Sequence, residues 1–304
     1  MEIFLGGFNM HKQIYSKFHK LSDSAWIELL YKSVNSRVIK GVSFPDFPED
    51  NIQISTIGNK GINSLHEPKN MYQEIRRITK QQNKSFNKET KFFDFACGYG
   101  RMTRFFMKDI FPGNLYGSDV TKEFIDLCKT TFCIKCKKIA ICGGGDVSFD
   151  INNPFPPLKY GNETFDVIMA YSLFSHLSED AHLAWLKEFL RIIKPSGLIF
   201  LTFRQQSFLT DLKQKSIADN VSDYDKIMIE RLGTTDVQDQ FNMGEYIYSP
   251  NGGGYDLTND FYGDTVIPNE YISNEWGKWF DIVEHYDDPL KLQQAFICIK
   301  PKKI

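Results

Sequence analysis

The sequence predicts an α/β fold built on a doubly wound, mostly parallel sheet of seven strands. Between residues 92 and 203, five short apolar runs alternate with stretches of helical periodicity, which is the pattern of successive βαβ units. A glycine-bearing turn follows the first of these runs. Two further strand candidates, 280–285 and 295–299, lie close together near the end of the chain. These observations together predict the sheet and its helices on both faces.

Residues 1–85 are expected to form an N-terminal cap of helices and loops. Apolar residues between Trp26 and Val34 recur with the spacing of one helix face, and residues 71–84 have the pattern of a polar helix. The stretch 41–70 is rich in Pro, Gly and Asn, which is typical of an ordered loop.

The apolar runs after the cap are short enough to be strands buried on both faces. Helices are expected between them: one over 101–110, one with Thr121 as its N-cap, and one over 179–191 that ends at the Lys-Pro-Ser-Gly sequence 194–197. The five strand candidates are 92–96, 114–119, 147–151, 165–170 and 198–203.

A polar stretch at 204–270 interrupts this alternation after the fifth strand candidate. Open α/β sheets bind ligands beyond the carboxyl ends of their strands, and this stretch begins at such an end. We interpret it as a substrate-recognition insertion within a main domain that covers 86–304. The alternative is a surface excursion without a role in binding.

Composition and charge exclude several classes of protein. No run approaches the roughly 18 to 20 apolar residues of a membrane span, and the first residues lack the pattern of a signal peptide. We therefore expect a cytoplasmic location and reduced cysteines. The net charge of −2 predicts no nucleic-acid partner. Residues 211–290 carry 17 Asp and Glu against 5 Lys and Arg, which argues against a polyanionic ligand or marks an ordinary solvated surface.

The most informative segment is residues 94–101, Asp-Phe-Ala-Cys-Gly-Tyr-Gly-Arg. Gly98 and Gly100 stand between a strand and a helical stretch, where glycine allows a tight turn and the close approach of a ligand. Asp119 follows at the end of the second strand candidate, a position from which a carboxylate can accept both hydroxyls of a ribose.

Two cofactor classes use such a turn. A dinucleotide-binding turn would have a third glycine where this chain has Thr103, and its pyrophosphate would be repelled by Asp94. The same carboxylate would suit a cationic amine. The residues therefore favour S-adenosylmethionine (SAM), which has an amino-acid end and an adenosine end, over NAD.

The segment 94–101 resembles the first motif of class I SAM-dependent methyltransferases, a family with a Rossmann-like fold. The similarity continues through the Asn-bearing sequence 149–158, through FDVIMAYSLFSHL at 165–177, and into the last strand candidates. It covers roughly 90–205 and 262–300. Ala96 stands where the family usually has glycine, and we expect the small side chain to leave the turn intact.

This resemblance implies SAM as the methyl donor, S-adenosylhomocysteine (SAH) as the product, and a cofactor site along the strand ends. The residues expected at the methionine end and in the turn are Asp94, Ala96, Gly98, Gly100 and Arg101. Those expected at the ribose and the adenine are Asp119, Val120 and Asn152. Those expected to border the transferred methyl group are Tyr171 and Ser172.

The related enzymes point to a hydroxyl acceptor on a small molecule, a sugar or a glycan. Such an acceptor needs a general base. His176, five residues after Tyr171, is our candidate for that base, and Tyr171 is a second candidate catalytic residue. A cap or packing role is the alternative for His176, and His66 and His285 are the other histidines considered.

Three further possibilities were weighed against this prediction. A NAD-dependent oxidoreductase would use a similar sheet, and a SAM-binding module without catalysis would keep the same turn. Cys133 and Cys136, with Cys128 and Cys142 nearby, could suggest zinc. Only one Cys-x-x-Cys pair is present, and so we predict no metal site.

Overall fold

The computed structural model describes residues 10–132, 147–253 and 257–303. The chain divides into two compact units, Met1–Asn152 and Asn153–Ile304. Its main sheet, over the described residues, has the strand order β10-β11-β7-β6-β3-β4-β5 when strands are numbered along the chain. The bounds of these strands are given below. The predicted mostly parallel, seven-stranded, Rossmann-like sheet with N-terminal helices is confirmed.

The first unit begins with short helices and a two-stranded ribbon. The helix predicted from the apolar spacing around Trp26 is present, with Trp26 and its apolar neighbours buried. The elements are α1 Met10–Phe18, α2 Asp23–Ser33, β1 Val38–Ile39, β2 Val42–Ser43, α3 Asp50–Ile57 and α4 His66–Gln81.

The prediction of a loop over 41–70 was wrong in part, because α3 and the start of α4 lie within it. One of the glycines that suggested a loop ends α3. Asp50 lies in its first turn, where a carboxylate is favourable, and Gly58 closes it with a φ of +70°.

Three parallel strands complete this unit: β3 Phe92–Phe95, β4 Leu115–Asp119 and β5 Ser148–Ile151. Helix α5, Lys122–Thr131, begins after Thr121 as expected, although that side chain makes no capping bond. The helix predicted over 101–110 is instead a short 3₁₀ helix, Thr103–Lys108. All six of its side chains are buried, so it packs on every face and lacks the exposed face of a regular surface helix.

The second unit contains the other four strands of the sheet. Strands β6 and β7 are parallel, whereas β11 is antiparallel to both β7 and β10. The fifth predicted strand starts five residues earlier than expected, because β7 follows α6 without a loop. The elements are β6 Phe165–Ala170, α6 Glu179–Ile192, β7 Ile193–Phe203, β10 Phe280–Tyr286 and β11 Ala295–Pro301.

The stretch 204–270 is folded and has a small apolar core of its own. Buried leucines from its helices pack with Met228, Ile247 and Val266. Its elements are α7 Gln206–Lys215, α8 Asp223–Leu232, α9 Thr235–Asn242 and the antiparallel pair β8 Ile247–Pro250 and β9 Gly263–Val266, followed by α10 Asn269–Glu275. In the parts of the chain that the structure describes, no helix has the length and apolar character needed to cross a bilayer.

Candidate functional site

The turn after β3 passes repeatedly through the left-handed backbone region. Ala96, Gly98 and Gly100 have φ of +58°, +51° and +76°. A Cβ on Gly100 would lie 2.5 Å from the Phe132 ring, so packing as well as backbone requires glycine there. At Gly98 a Cβ would find no atom within 4 Å. The backbone at Gly98 is therefore open on this side, as the close approach of a ligand demands.

Asp119, at the end of β4, lies directly beside this turn. Its Oδ2 accepts the Gly98 N–H at 2.9 Å, and its Oδ1 accepts the Thr121 N–H at 2.9 Å. Burial raises the pKa of this carboxyl, and the backbone hydrogen bonds oppose that rise. This buried carboxylate beside the turn fits the ribose hydroxyls of an adenosyl ligand, which are hydrogen-bond donors.

Asp94 is buried at the end of β3, where Thr103 donates its hydroxyl to Oδ2 at 2.5 Å. Burial raises the pKa of Asp94 to about 7; the Thr103 hydrogen bond opposes this rise, and the nearby Asp119 adds to it. A carboxyl in this state gains a full negative charge when a cation binds next to it. From the sequence, Thr103 was only the residue in place of a third glycine, and its role as a donor to Asp94 was missed.

The other predicted cofactor residues of the first unit surround the same turn and strand ends. Arg101 donates from Nη1 to the Ser64 carbonyl at 3.0 Å, which ties the turn to the N-terminal region. Asn152 follows β5, and its N–H donates to the Asp119 carbonyl at 3.1 Å. Val120 is half-buried beside Asp119. The first unit thus brings all eight of its predicted cofactor residues to one strand edge, with an open backbone that fits SAM.

In the second unit, Tyr171 and Ser172 directly follow β6, as predicted. Ser172 has a φ of +58°, a strained conformation for a residue with a side chain. Its N–H donates to Thr202 Oγ1 at 2.7 Å, and its Oγ accepts from Gln294 Nε2 at 2.8 Å. These two contacts hold the strained turn at the end of the strand. Tyr171 is half-buried next to it.

His176 lies in the same connection, and one hydrogen bond fixes its tautomer. Nδ1 is 2.9 Å from the Gly263 carbonyl oxygen, which can only accept, so Nδ1 carries the hydrogen. The ring stacks on Tyr262 with 5.0 Å between centroids. When the imidazole is neutral, Nε2 therefore holds the lone pair that a general base uses.

A buried ion pair sets the charge around His176. Arg204 Nη1 lies 2.8 Å from Asp264 Oδ1, and His176 Nδ1 lies 3.8 Å from the same oxygen. Burial, helped by the Arg204 cation, lowers the pKa of His176 to about 4, while the Gly263 bond and Asp264 act in the opposite direction. His176 is therefore neutral at pH 7. Gly263 and Asp264 were missed because nothing in the sequence links them to a histidine 87 residues earlier.

The alternative histidines have other surroundings. His285 donates from Nε2 to Gln205 Oε1 at 2.9 Å, since that amide oxygen can only accept. Burial lowers the pKa of His285. His66 begins α4 and packs edge-on against Tyr31. His285 thus also has a fixed tautomer, but it lies on β10. His176, in contrast, lies in the connection after β6 that also carries Tyr171 and Ser172.

Of the four cysteines that could suggest zinc, only Cys128 lies within the described residues. Cys133, Cys136 and Cys142 lie outside the described residues, whereas Cys97, Cys128 and Cys298 are buried. Over residues 10–132, 147–253 and 257–303, no three His, Cys, Asp or Glu side chains are grouped to hold a metal ion.

Comparison with known proteins matches one part of the chain to a family model. Residues 92–197 match the model of a family described as a methyltransferase domain. This range contains β3, the turn and the connection that carries His176. No curated protein sequence matches the chain.

Solved structures share the fold at low sequence identity. An S-adenosylmethionine-dependent methyltransferase from Clostridium acetobutylicum has a TM-score of 0.54 and 14% identity, over 84% of this chain and 100% of that chain. A magnesium protoporphyrin IX methyltransferase from Synechocystis, solved with SAH, has a TM-score of 0.46 and 11% identity, over 90% of this chain and 99% of that chain. The first of these likenesses shows the same fold.

Proposed function

We propose that the chain is a class I SAM-dependent methyltransferase and that it methylates a hydroxyl group on a small molecule or glycan, with His176 as the general base. The match of residues 92–197 to the model of a methyltransferase domain supports the first part of this proposal. The observation that carries this proposal is the neutral imidazole of His176, whose Nδ1–H is held by the Gly263 carbonyl. A hydroxyl must lose its proton as it is methylated, whereas a thiolate or a neutral amine needs no such base in that step. A fixed, uncharged base therefore favours a hydroxyl acceptor.

In this proposal the first unit holds SAM through the predicted residues. Asp119 accepts the ribose hydroxyls, Val120 and Asn152 meet the adenine, and Asp94 faces the cationic amino group. SAM supplies a methyl group already activated by its positive sulfur. The remaining task of the chain is to hold donor and acceptor in line, which can lower a barrier by about 7 to 11 kcal/mol.

His176 would act as the proton acceptor. Nε2 of His176 takes the hydroxyl proton, and Tyr171 and Ser172 border the methyl group. The Gly263 carbonyl stabilises the imidazolium that results, because it accepts the Nδ1–H. Asp264 lies 3.8 Å from Nδ1 and is paired with Arg204, so it offsets the charge of that arginine next to the imidazolium.

The test is methyl transfer from labelled SAM to a panel of hydroxyl compounds by wild type and His176→Gln. We expect kcat to fall by roughly 10² to 10⁴-fold, the usual range for loss of a general base, with unchanged affinity for SAM. His285→Gln is the matched control and should keep kcat. Full activity of His176→Gln would show that this histidine is not the base.

The cofactor assignment is tested separately by calorimetry with SAM and SAH. Asp119→Asn removes one acceptor oxygen, and loss of a hydrogen bond to a charged group costs about 1.5 to 3 kcal/mol. We expect the dissociation constants of both ligands to rise by roughly ten- to a hundredfold. Equal binding by Asp119→Asn and wild type would remove Asp119 from the ribose site.

A further inference from the structure

We propose that the methyl acceptor carries an anionic group, a carboxylate or a phosphate, and that Arg231 binds this group beside His176. This inference rests on the proposed function, because it names the class of compound that the same site would methylate. It comes from the charges around Asp264, from the exposure of Arg231 and from an unpartnered amide oxygen on Asn251.

Two guanidinium groups converge on the single carboxylate of Asp264. Arg204 makes close contact at 2.8 Å and has further hydrogen bonds to the Ser175 carbonyl at 3.1 Å and to Tyr224 Oη at 3.2 Å. Arg231 Nη1 lies 3.7 Å from Asp264 Oδ2, beyond hydrogen-bond distance. Arg204 thus neutralises Asp264, and the charge of Arg231 is in excess.

Arg231 is also placed to meet a ligand. Its side chain is 37% exposed, whereas those of Arg204 and Asp264 are buried. A guanidinium presents a planar fork of donors that matches carboxylate and phosphate oxygens. The many acidic residues of 211–290 would repel a polyanion, but salt screens charges beyond about 8 Å. A single anionic group at Arg231 is therefore favourable even in this acidic stretch.

The neighbouring Asn251 adds a group that suits a hydroxyl. Its Nδ2 donates to Asp264 Oδ2, while its Oδ1 is buried with no donor in reach among the described residues. A buried acceptor without a partner is unfavourable, and a ligand hydroxyl would satisfy it. Arg231 and Asn251 approach Oδ2 of Asp264, and the Nδ1 side of the His176 ring approaches Oδ1. A cation and an unsatisfied acceptor beside the ring that carries the base fit a hydroxylated anion, such as a sugar acid or a sugar phosphate.

The test is calorimetric binding of three probes to the full chain saturated with SAH: glucuronate, glucose 6-phosphate and glucose. We expect wild type to bind one or both anions more tightly than glucose, and the better anion identifies carboxylate or phosphate as the group bound. Arg231→Gln should weaken anion binding roughly ten- to hundredfold, as expected for loss of a charged hydrogen bond, and leave glucose unchanged.

Lys226→Gln is the matched control, because it removes one positive charge from an exposed position on the same helix, α8. An equal loss of anion affinity in both variants would mean that only the overall charge of the helix matters, and it would overturn the proposal. Equal affinity for glucose and both anions, or no binding of any probe, would overturn it as well.

Binding without turnover separates this inference from the proposed function. If anions bind through Arg231 and no hydroxyl compound is methylated, the anion site stands and hydroxyl methylation fails. If a neutral hydroxyl compound is methylated and Arg231→Gln has no effect on anion binding, the function stands and the anion site fails.

Discussion

Ala96 holds a backbone conformation that suits glycine, with a φ of +58°. A left-handed conformation costs an L-residue about 1 to 2 kcal/mol, whereas glycine adopts it freely. Glycine also makes the unfolded chain more flexible, which lowers the free energy of unfolding by about 0.4 to 1 kcal/mol. We expect Ala96→Gly to raise the free energy of unfolding by about 0.5 kcal/mol, as measured by urea denaturation.

The matched control is Ala181→Gly, the same change within α6, where the backbone is regular. Glycine in a helix costs about 1 kcal/mol relative to alanine, so this variant should be less stable than wild type. Opposite signs for the two variants would support strain at Ala96. A decrease of similar size in both would show that the turn holds no such strain.

The proposed place of Asp94 beside the amino group of SAM predicts that SAM binding depends on pH near neutrality. Because burial raises its pKa to about 7, the free protein holds a proton there at lower pH. A bound cation favours the ionised carboxylate, so the proton must be released on binding. We expect the dissociation constant of SAM to rise by about tenfold for each pH unit below 7, as measured by calorimetry between pH 5.5 and about 8.

Asp94→Asn is the control, because the amide oxygen can still accept the Thr103 hydroxyl. This variant cannot ionise at the position, so its affinity for SAM should be weaker at pH 8 and nearly independent of pH. A pH dependence that persists in Asp94→Asn would assign the proton to another group.

Single residues of the site differ in how far the sequence could predict them. Gly98 and Asp119 belong to a local strand-turn-strand pattern, so their meeting follows from the geometry of parallel strands. The partners of His176 could not be predicted in this way. Gly263 and Asp264 are close to His176 only because a distant strand folds back on the connection after β6, and no short-range pattern encodes that contact.

At the scale of elements, β9 holds the connection that carries His176. Gly263 N–H donates to the His176 carbonyl at 2.7 Å, and Thr265 N–H donates to the Ser175 carbonyl at 2.9 Å. The Thr265 hydroxyl adds a bond to the Leu177 carbonyl at 2.6 Å. The stretch 204–270 therefore determines where His176 lies. This contact supports our interpretation of the stretch as a substrate-recognition insertion.

Gly263→Ala should disturb this arrangement. A Cβ there would overlap the Ser249 carbonyl oxygen and lie 2.7 Å from the Tyr248 ring, so β8 and β9 must separate. Such overpacking costs about 1 to 3 kcal/mol. We expect methyl transfer to fall at least about tenfold, while SAM affinity stays the same because the cofactor residues of the first unit are untouched.

Gly277→Ala provides the comparison, because the nearest atom to its Cβ would be the Ile272 carbonyl oxygen at 4.0 Å. This variant should keep both methyl transfer and SAM affinity. Equal activity of the two variants would show that β9 does not position His176. Loss of SAM binding in Gly263→Ala would point to general unfolding.

Elements with a strong apolar pattern were predicted well, and those that depend on packing were not. Strand β6 has its predicted bounds, because its apolar run is buried and ends at a polar turn. The segment 103–108 has helical periodicity but forms a 3₁₀ helix, since its Arg104 and Lys108 side chains are buried and bond to a loop and to the start of α2. Those tertiary contacts cannot be deduced from local periodicity.

For the whole molecule, buried histidines predict sensitivity to acid in both units. Burial lowers the pKa of His11 and of His176 to about 4, and that of His182 to about 3. Below pH 6.5 the unfolded chain takes up protons at these positions and the folded protein does not. The free energy of unfolding therefore falls as the pH drops from 6.5 to about 4. The raised pKa values of Asp94 and Asp119 oppose this trend, because the folded protein takes up protons there before the unfolded chain does. These are two groups against three histidines.

His182 allows this idea to be tested outside the site. Both of its ring nitrogens are buried without a hydrogen-bond partner among the described residues, and its ring packs against Phe174, Tyr246 and Trp276. His182→Phe keeps an aromatic ring in this cluster and removes the proton uptake of the unfolded chain. We expect the loss of stability between pH 7 and pH 5 to shrink by about 2 kcal/mol, as measured by urea denaturation at both pH values.

Phe174→Leu is the control for packing in the same aromatic cluster. It removes ring contacts without changing a titratable group, so it should lower the free energy of unfolding by about 1 kcal/mol at both pH values. If His182→Phe loses as much stability as wild type between pH 7 and pH 5, His182 does not carry the acid sensitivity. If the free energy of unfolding falls less between pH 7 and pH 5 in His182→Phe alone, protonation of this one histidine in the unfolded chain causes much of the acid sensitivity. Packing cannot explain such a result, because the packing contacts are the same at both pH values.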